Sequence, residues 1–399
     1  MKSYLRYLSV AVLGLMAVAL GVNWFVDPYG LHRPYGATDW KPHAAAQGAL
    51  VKPYQVLRQS PRTLILGNSR AEVGFDPEDG AWPQQLKPVY NLALPGTGVR
   101  VERRLFEHAI YNRQVKSVLL GVDFMDFLMS ADAVIPEPDW ARRLLVAANG
   151  KPNGTRWLHM LQDGAVTLAS LDALIHSFDT IRQKGKSGVA QLTPAGFNPM
   201  HDYEVIAQDE GYYNLFRQRD VENLRAYQLR PKNLYLKGTA SSPAFDDLSR
   251  ILRGARDHGI QVQVVIYPYH AHLLEIFRLT GFWELFEDWK RGLVQRVTLE
   301  GRGHAVLWDF SGYHAYAREA IPLPSDRKTQ VKWYWEAGHF KKELGSEILK
   351  RLAGKGDPSF GVVLTPENIE QQLELIRQDG DRFRSVPSAA LAELTATVK

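Results

Sequence analysis

The segment Thr63–Arg70, TLILGNSR, has the pattern of a buried strand that leads into a helix. Its first four residues are apolar or β-branched, and they end at a glycine, after which a serine stands where a helix would begin. A short apolar run of this kind is typical of a strand that is covered on both faces, as in a parallel sheet. We therefore expect a strand over Thr63–Leu66 and a helix from Ser69.

Along the rest of the chain, four more short apolar runs alternate with amphipathic stretches. These runs are Val89–Leu92, Ser117–Gly121, Gln261–Tyr267 and Ala305–Asp309. Strands that alternate with helical crossovers predict an α/β fold with a doubly wound, five-stranded parallel sheet. Ligands gather at the carboxyl ends of the strands in such a sheet.

The crossover helices are recognised by their apolar periodicity. They are predicted at Val99–Tyr111, Asp246–His258 and Glu284–Thr298, and the last one follows His339. That last helix carries Phe340, Leu344, Ile348 and Leu352 at a spacing of four, which makes one buried stripe.

The alternation is interrupted from about residue 128 to 242. We interpret this stretch as a helical insertion after the third strand and as a candidate cap over the site. Within it, Trp140–Ala148 and Leu158–Arg182 are predicted to be helical, and Gln191–Tyr213 is predicted to be irregular. The chain therefore divides into an anchor (1–30), a main domain (31–355) and a tail (356–399) with a helix at Pro366–Gln378 and a mobile end.

The N-terminal segment Tyr7–Val26 is almost entirely apolar. About twenty helical residues span roughly 30 Å, the thickness of a bilayer core. Lys2 and Arg6 precede the segment, so the positive-inside rule predicts a cytoplasmic N-terminus and places the rest of the chain across the membrane. A cleaved signal peptide is the alternative, but the apolar run continues beyond the small residues Ala17–Ala19.

Composition excludes several classes of function. The 399 residues include no cysteine, which excludes disulfides, thiol catalysis and thiolate metal sites. The net charge of +5 fits a mildly basic surface, or attraction to anionic lipid or an acidic polymer. The sequence has no nucleic-acid-reading motif and no long basic run, so we expect no nucleic-acid partner.

Three segments can carry chemistry. Ser69 lies between a strand and a helix, where its hydroxyl is exposed, although a serine there is often only a helix N-cap. Glu336 and His339 are three residues apart, so the carboxylate can orient the imidazole towards a serine; the alternative is a surface Glu and a capping His. Gly96 follows the second strand, where its N–H can meet an oxyanion or the glycine can simply allow a tight turn.

The order and strand context of these segments resemble those of the SGNH, or GDSL-type, hydrolases. Gly67–Ser69 stands at the first block of that family, Asn91–Gly96 at the second, and Glu336 with His339 at the last. The resemblance covers about residues 60–127 and 243–353, and it is closest to the membrane-anchored branch of alginate and exopolysaccharide O-acetylation proteins. It implies that Ser69, His339 and Glu336 are catalytic and that the Ser69 and Gly96 N–H groups form the oxyanion hole.

The sequence departs from the family pattern at two positions. Glu336 stands where the family usually has Asp, and a Glu can still orient a histidine. Asp123 stands where the third block has an oxyanion-binding Asn. An ionised carboxylate cannot donate a hydrogen bond and would repel an oxyanion, so Asp123 must be protonated, turn away, or leave the hole with two donors.

Four residues near the predicted site are candidate substrate contacts: Arg70, Asp123, His270 and Asp309. Arg70 can instead lie on a solvated helix face, and Asp309 can cap a turn. The pair His270 and His272 has a metal-binding spacing, but no carboxylate cluster accompanies it. We therefore expect no metal and no cofactor.

The resemblance implies a serine-dependent O-acyl esterase or acetyltransferase that acts on a cell-envelope or exported polysaccharide. It implies a single-pass protein of the bacterial inner membrane with a periplasmic catalytic domain, and a transferase would need a membrane-embedded acyl-transfer partner. Two alternatives remain: a weak or inactive glycan-binding subunit of a modification or secretion complex, which Asp123 favours, and a lipase near the bilayer.

Overall fold

The computed structural model describes residues 2–33, 41–111, 114–130, 132 and 136–396. Short stretches of the predicted main domain and insertion, and the last residues of the tail, lie outside these ranges. The helices are α1 (Lys2–Val26), α2 (Pro42–Ala46), α3 (Gly48–Gln59), α4 (Ser69–Gly74), α5 (Val99–Ile110), α6 (Arg156–Ala169), α7 (Leu171–Gln183), α8 (His201–Glu210), α9 (Tyr212–Gln228), α10 (Pro243–Asp257), α11 (Ala271–Leu279), α12 (Trp283–Arg296), α13 (Lys342–Leu352), α14 (Ile369–Ser385) and α15 (Ala389–Ala396).

The strands form one mixed sheet and one separate hairpin. The strands are β1 (Thr63–Leu66), β2 (Val89–Asn91), β3 (Ser117–Val122), β4 (Gln261–Ile266), β5 (Ala305–Asp309), β6 (Tyr334–Glu336), β7 (His339–Phe340) and β8 (Val362–Val363). The sheet order is β2-β1-β3-β4-β5-β8, with β1 to β5 parallel and β8 antiparallel to β5. The fold is therefore α/β with a mostly parallel six-stranded sheet.

The five predicted strands are present, but the prediction of a purely parallel five-stranded sheet is wrong. Val362 and Val363 add a sixth strand from the tail by pairing with β5. A two-residue strand has no detectable period, so its pairing partner alone reveals it. The rest of the described tail also packs on the domain, since α14 contacts α12 and α15 contacts α9 and α11.

The insertion is more regular than its sequence indicates. The predicted helix Leu158–Arg182 is broken at Ser170, whose hydroxyl accepts a hydrogen bond from Ala173 N (3.0 Å) and begins α7. The predicted irregular segment contains α8. The predicted helix Trp140–Ala148 is only a 3-10 turn at Asp139–Arg143.

One helix among the described residues, α1, is long and apolar enough to cross a membrane. It has 25 residues, and Asn23 is its one buried residue. A core helix of a soluble protein would be mostly buried, so the exposure of α1 separates it from that class.

Two glycines allow Tyr267 to pack beneath the carboxyl ends of the central strands. A Cβ on Gly67 would lie 2.3 Å from Tyr267 Oη, and one on Gly121 would lie 2.2 Å from it. Gly67 also has a φ of +149°, a backbone conformation that favours glycine. This packing fixes the turn that precedes Ser69.

We predict that Gly121→Ala lowers the free energy of unfolding by about 1–3 kcal/mol, because the fully buried Tyr267 ring must shift in a packed core. Gly80→Ala is the matched control, since nothing lies within 4 Å of a Cβ there. Urea unfolding compares the two variants, and equal stabilities would contradict the close packing.

Candidate active site

Ser69, His339 and Glu336 form one hydrogen-bonded chain. Ser69 Oγ lies 2.8 Å from His339 Nε2, and His339 Nδ1 is hydrogen-bonded to Glu336 Oε1. An ionised carboxylate can only accept, so Nδ1 must donate to Glu336, and in the neutral imidazole Nε2 then accepts from the serine hydroxyl. This is the arrangement in which a histidine can remove the proton of a nucleophilic serine.

The turn after β1 places Ser69 at the first residue of α4. Asn68 is the N-cap, because its side chain accepts a hydrogen bond from Arg70 N at 3.0 Å. Ser69 therefore does not have the capping role that serine often has at a helix start, and its hydroxyl is available to His339. Asn91 at the end of β2 holds α4 in place by donating to Ala71 O and Phe75 O, both at 2.9 Å.

Glu336 and His339 face each other across a tight hairpin. β6 and β7 pair antiparallel with Glu336 opposite His339, so the histidine lies in a strand and α13 begins three residues later, at Lys342. Gly338 N donates to Glu336 Oε2 at 2.7 Å. The hairpin therefore fixes both oxygens of the carboxylate and the orientation of the imidazole.

The surroundings of Glu336 keep it ionised. Burial alone would raise its pKa, but His339, the N–H of Gly338 and the Arg219 guanidinium outweigh burial and lower the pKa to about 2. A carboxylate that stays charged favours the imidazolium that forms when His339 takes a proton.

Arg70 joins the serine turn to the histidine hairpin. Its guanidinium donates from Nε to Gly338 O at 2.6 Å and forms an ion pair with Asp123. Arg70 is 8% exposed, so it lies neither on a solvated helix face nor free to meet a substrate. These contacts hold Arg70 between the serine turn and the histidine hairpin and off the wall of the cleft around Ser69, in contrast to its interpretation as a substrate contact.

Asp123 turns away from the serine. Its carboxylate accepts from Tyr269 Oη (2.9 Å) and Asn68 Nδ2 (3.0 Å) and pairs with Arg70. It is 3% exposed and does not line the cleft around Ser69. The negative charge of Asp123, which was expected to repel an oxyanion, is therefore compensated by Arg70.

His270 and Asp309 are also buried away from the cleft, which corrects their interpretation as substrate contacts. His270 caps α11 by accepting from His272 N, and its Nε2 is hydrogen-bonded to Glu319 O (2.9 Å). Asp309 pairs with Lys290 Nζ at 2.7 Å. Both side chains are buried, and their polar atoms are hydrogen-bonded or ion-paired within the protein.

Ser69 lines a cleft of about 320 Å³. Gly96 lies on its wall with a φ of +68°, as the predicted order of the loops requires. The insertion also contributes to the wall, through Asn198, Met200, Tyr203 and Arg219. Sequence analysis missed these four residues because no local pattern shows which part of an insertion returns to the sheet edge.

We predict that Glu336→Gln destabilises the protein most near neutral pH. The folded pKa of Glu336 is about 2 and the ordinary value is 4.5. The ionised form therefore stabilises the fold above pH ~4.5, and this contribution, about 3 kcal/mol, is lost as the pH falls towards ~2. Urea unfolding should show that the difference in the free energy of unfolding between wild type and variant becomes smaller as the pH falls from about 7 to about 3.

Glu343→Gln is the control for this measurement, because it removes an exposed carboxylate from α13. Its stability difference from wild type should stay small across the same pH range. If the difference in the free energy of unfolding between wild type and Glu336→Gln does not change with pH, this would contradict a depressed pKa at Glu336.

The sequence was compared with known proteins. No model of a protein family matches it, and no curated protein is significantly similar to it. The case for a function therefore rests on the geometry of Ser69, His339 and Glu336 and of the cleft around them.

Proposed function

We propose that this chain is a membrane-anchored serine esterase or O-acetyltransferase of the SGNH type. The observation that carries the proposal is the 2.8 Å contact of Ser69 Oγ with His339 Nε2, with Glu336 on the other ring nitrogen. A nucleophile, a base and a group that orients the base are the three parts of a serine acyl-transfer site.

In the proposed reaction, Ser69 Oγ attacks the carbonyl carbon of an ester while His339 takes the hydroxyl proton. The tetrahedral intermediate then releases its alcohol, which receives that proton from His339, and an acyl group stays on Ser69. Water or a second hydroxyl repeats the steps in reverse and takes the acyl group. Hydrolysis and transfer share the acyl-enzyme, so they differ only in this last acceptor.

The N–H groups of Ser69 and Gly96 are the proposed oxyanion donors, and the amide of Asn198 on the same cleft is a further one. Donors of this kind stabilise charge only where it develops, and each typically contributes about 100–1000-fold in rate. Asp123 would have opposed this role, but it is bound to Arg70, Asn68 and Tyr269. Its position thus removes the expected repulsion of an oxyanion, which weakens the case for an inactive glycan-binding subunit.

The topology supports the SGNH-type assignment. The parallel strands have the order β2-β1-β3-β4-β5, which is that of flavodoxin-like doubly wound sheets, whose ligands bind where the strand order reverses. Ser69 follows β1, one of the strands at that reversal. The strand β8 and the insertion would then be additions to this core.

A polysaccharide is the proposed substrate class. A second cavity of about 470 Å³ shares Val73 and Trp335 with the cleft around Ser69. Its wall includes Tyr212, Lys332 and Lys342. Aromatic and charged side chains beside a site larger than one acetyl ester suit a chain of sugars.

We further propose that α1 anchors the protein in a bacterial inner membrane, with its N-terminus in the cytoplasm and the domain in the periplasm. The end of α1 is built into the fold, which supports an uncleaved anchor: Asn23 Nδ2 donates to Leu168 O at 2.8 Å, and Lys41 Nζ donates to Val26 O at 2.6 Å. If the protein is a transferase, its acyl donor would come from a separate membrane-embedded partner.

The proposed function is tested by looking for an acyl-enzyme, which we expect to form on Ser69. Full-length protein in detergent, treated with an activated acetyl ester such as 4-nitrophenyl acetate, should gain one acetyl group on Ser69 in peptide mass spectrometry. Ser69→Ala should lose both the adduct and the release of nitrophenol, because the nucleophile is gone.

Ser385→Ala is the control, since it removes an exposed serine from the end of α14. It should react like the wild type. An adduct spread over surface residues, with nitrophenol release unchanged in Ser69→Ala, would contradict the proposed function.

A further inference from the structure

Helices α6 and α7 form a hairpin with an exposed apolar face. Leu161, Val166, Leu171, Ile175, Phe178 and Ile181 are each between 57% and 76% exposed. Outside α1 and this hairpin, exposed large apolar side chains of the described chain are scattered, as at Leu229 and Leu323. Scattered apolar residues are normal on a soluble surface, but a contiguous apolar face marks an interaction site.

The two faces of α7 are reversed relative to a helix on a soluble domain. Its buried residues are the small ones, Ala173, Ser177 and Thr180, and its large apolar residues Leu171, Ile175 and Phe178 point outward. Both sets recur at a spacing of three to four, so each makes one stripe along the helix. Small residues inward and large apolar residues outward are the arrangement of helices that pack together within lipid.

The hairpin packs on the last two turns of α1. Asn23 of α1 donates from Nδ2 to Leu168 O (2.8 Å) and accepts from Ser177 Oγ (2.8 Å). The half-buried Ala19, Val22 and Val26 lie on the same face of α1 as Asn23. These positions are inside the apolar segment, so a bilayer that surrounds α1 would reach the hairpin at the same level.

Two backbone groups at the turn of the hairpin have partners within the protein. Leu168 O, near the end of α6, receives the Asn23 amide, and Ala173 N, in the first turn of α7, donates to Ser170 Oγ. Helix ends in water can use either solvent or side-chain caps for these groups, whereas a helix end in lipid must find its partners in the protein. Both of these hydrogen bonds would be kept if the turn were immersed in an apolar medium.

We infer that the α6–α7 hairpin is embedded in the membrane beside the end of α1, with its apolar face against lipid. Helices of 14 and 13 residues are about 20 Å long and too short to span a bilayer, so the hairpin lies at the boundary of headgroups and acyl chains. Arg182, Lys184 and Lys186 follow at the end of α7, where cations can meet lipid phosphates.

This inference rests on the proposed membrane anchorage by α1 and is independent of the proposed catalysis. It makes the chain a protein with two membrane contacts rather than a domain on a single tether. The insertion would then have two roles, since α6 and α7 meet the lipid and a later part of it, at Asn198 and Met200, lines the cleft.

Site-directed fluorescence tests the inference, because the chain has no cysteine and single ones can be introduced. Full-length Leu171→Cys and Phe178→Cys would carry an environment-sensitive fluorophore in phosphatidylcholine–phosphatidylglycerol vesicles whose acyl chains bear a nitroxide quencher. Leu13→Cys, in the middle of α1, reports on the anchor. Leu229→Cys and Leu323→Cys are matched controls, as they replace leucines that are 88% and 67% exposed outside the hairpin.

The expected result is that both hairpin labels are quenched several-fold more than the two control labels, together with strong quenching at Leu13→Cys. Quenching at Leu13→Cys, with hairpin labels no more quenched than the controls, would overturn the inference and leave the anchor in place; the apolar face would then need a protein partner. No quenching at Leu13→Cys would overturn the anchor and the inference together. Neither outcome bears on Ser69 acylation, which is measured in detergent.

Discussion

One buried guanidinium connects the parts of the chain that build the candidate site. Arg70 follows Ser69, the proposed nucleophile, donates to Gly338 O at 2.6 Å, and pairs with Asp123 at the end of β3. A buried donor without a partner is costly, so the histidine hairpin cannot move away without leaving Arg70 Nε without its acceptor, Gly338 O. The contact between Ser69 and His339, 270 residues apart in the chain, depends on this bridge.

Much of the fold could be predicted from the sequence, because a buried parallel strand can be recognised as a short run of consecutive apolar residues. The strand at Thr63–Leu66 was found to the residue, and the order of the loops then placed Ser69, Gly96 and His339 on one side of the sheet. The sixth strand could not be predicted. Its two residues carry no period, and only pairing with β5 defines it.

The side chains of the site were harder to predict, because a residue's partner lies far away in sequence. Arg70 and Asp123 each seemed to face a substrate, yet they face one another. Asn198 reaches the cleft from an insertion whose sequence shows no sign of its destination. The hairpin of α6 and α7 shows the same limit, because its apolar residues resemble those of a buried helix until the structure shows which face is exposed.

A double-mutant cycle on ester hydrolysis tests whether Ser69 and His339 act as one unit. Rates would be measured for wild type, Ser69→Ala, His339→Ala and the double variant. When two groups act as a unit, the rate losses caused by substituting each of them do not add. We therefore expect the double variant to be no slower than either single variant. Rate losses that multiply in the double variant would contradict this expectation, since the two residues would then act independently.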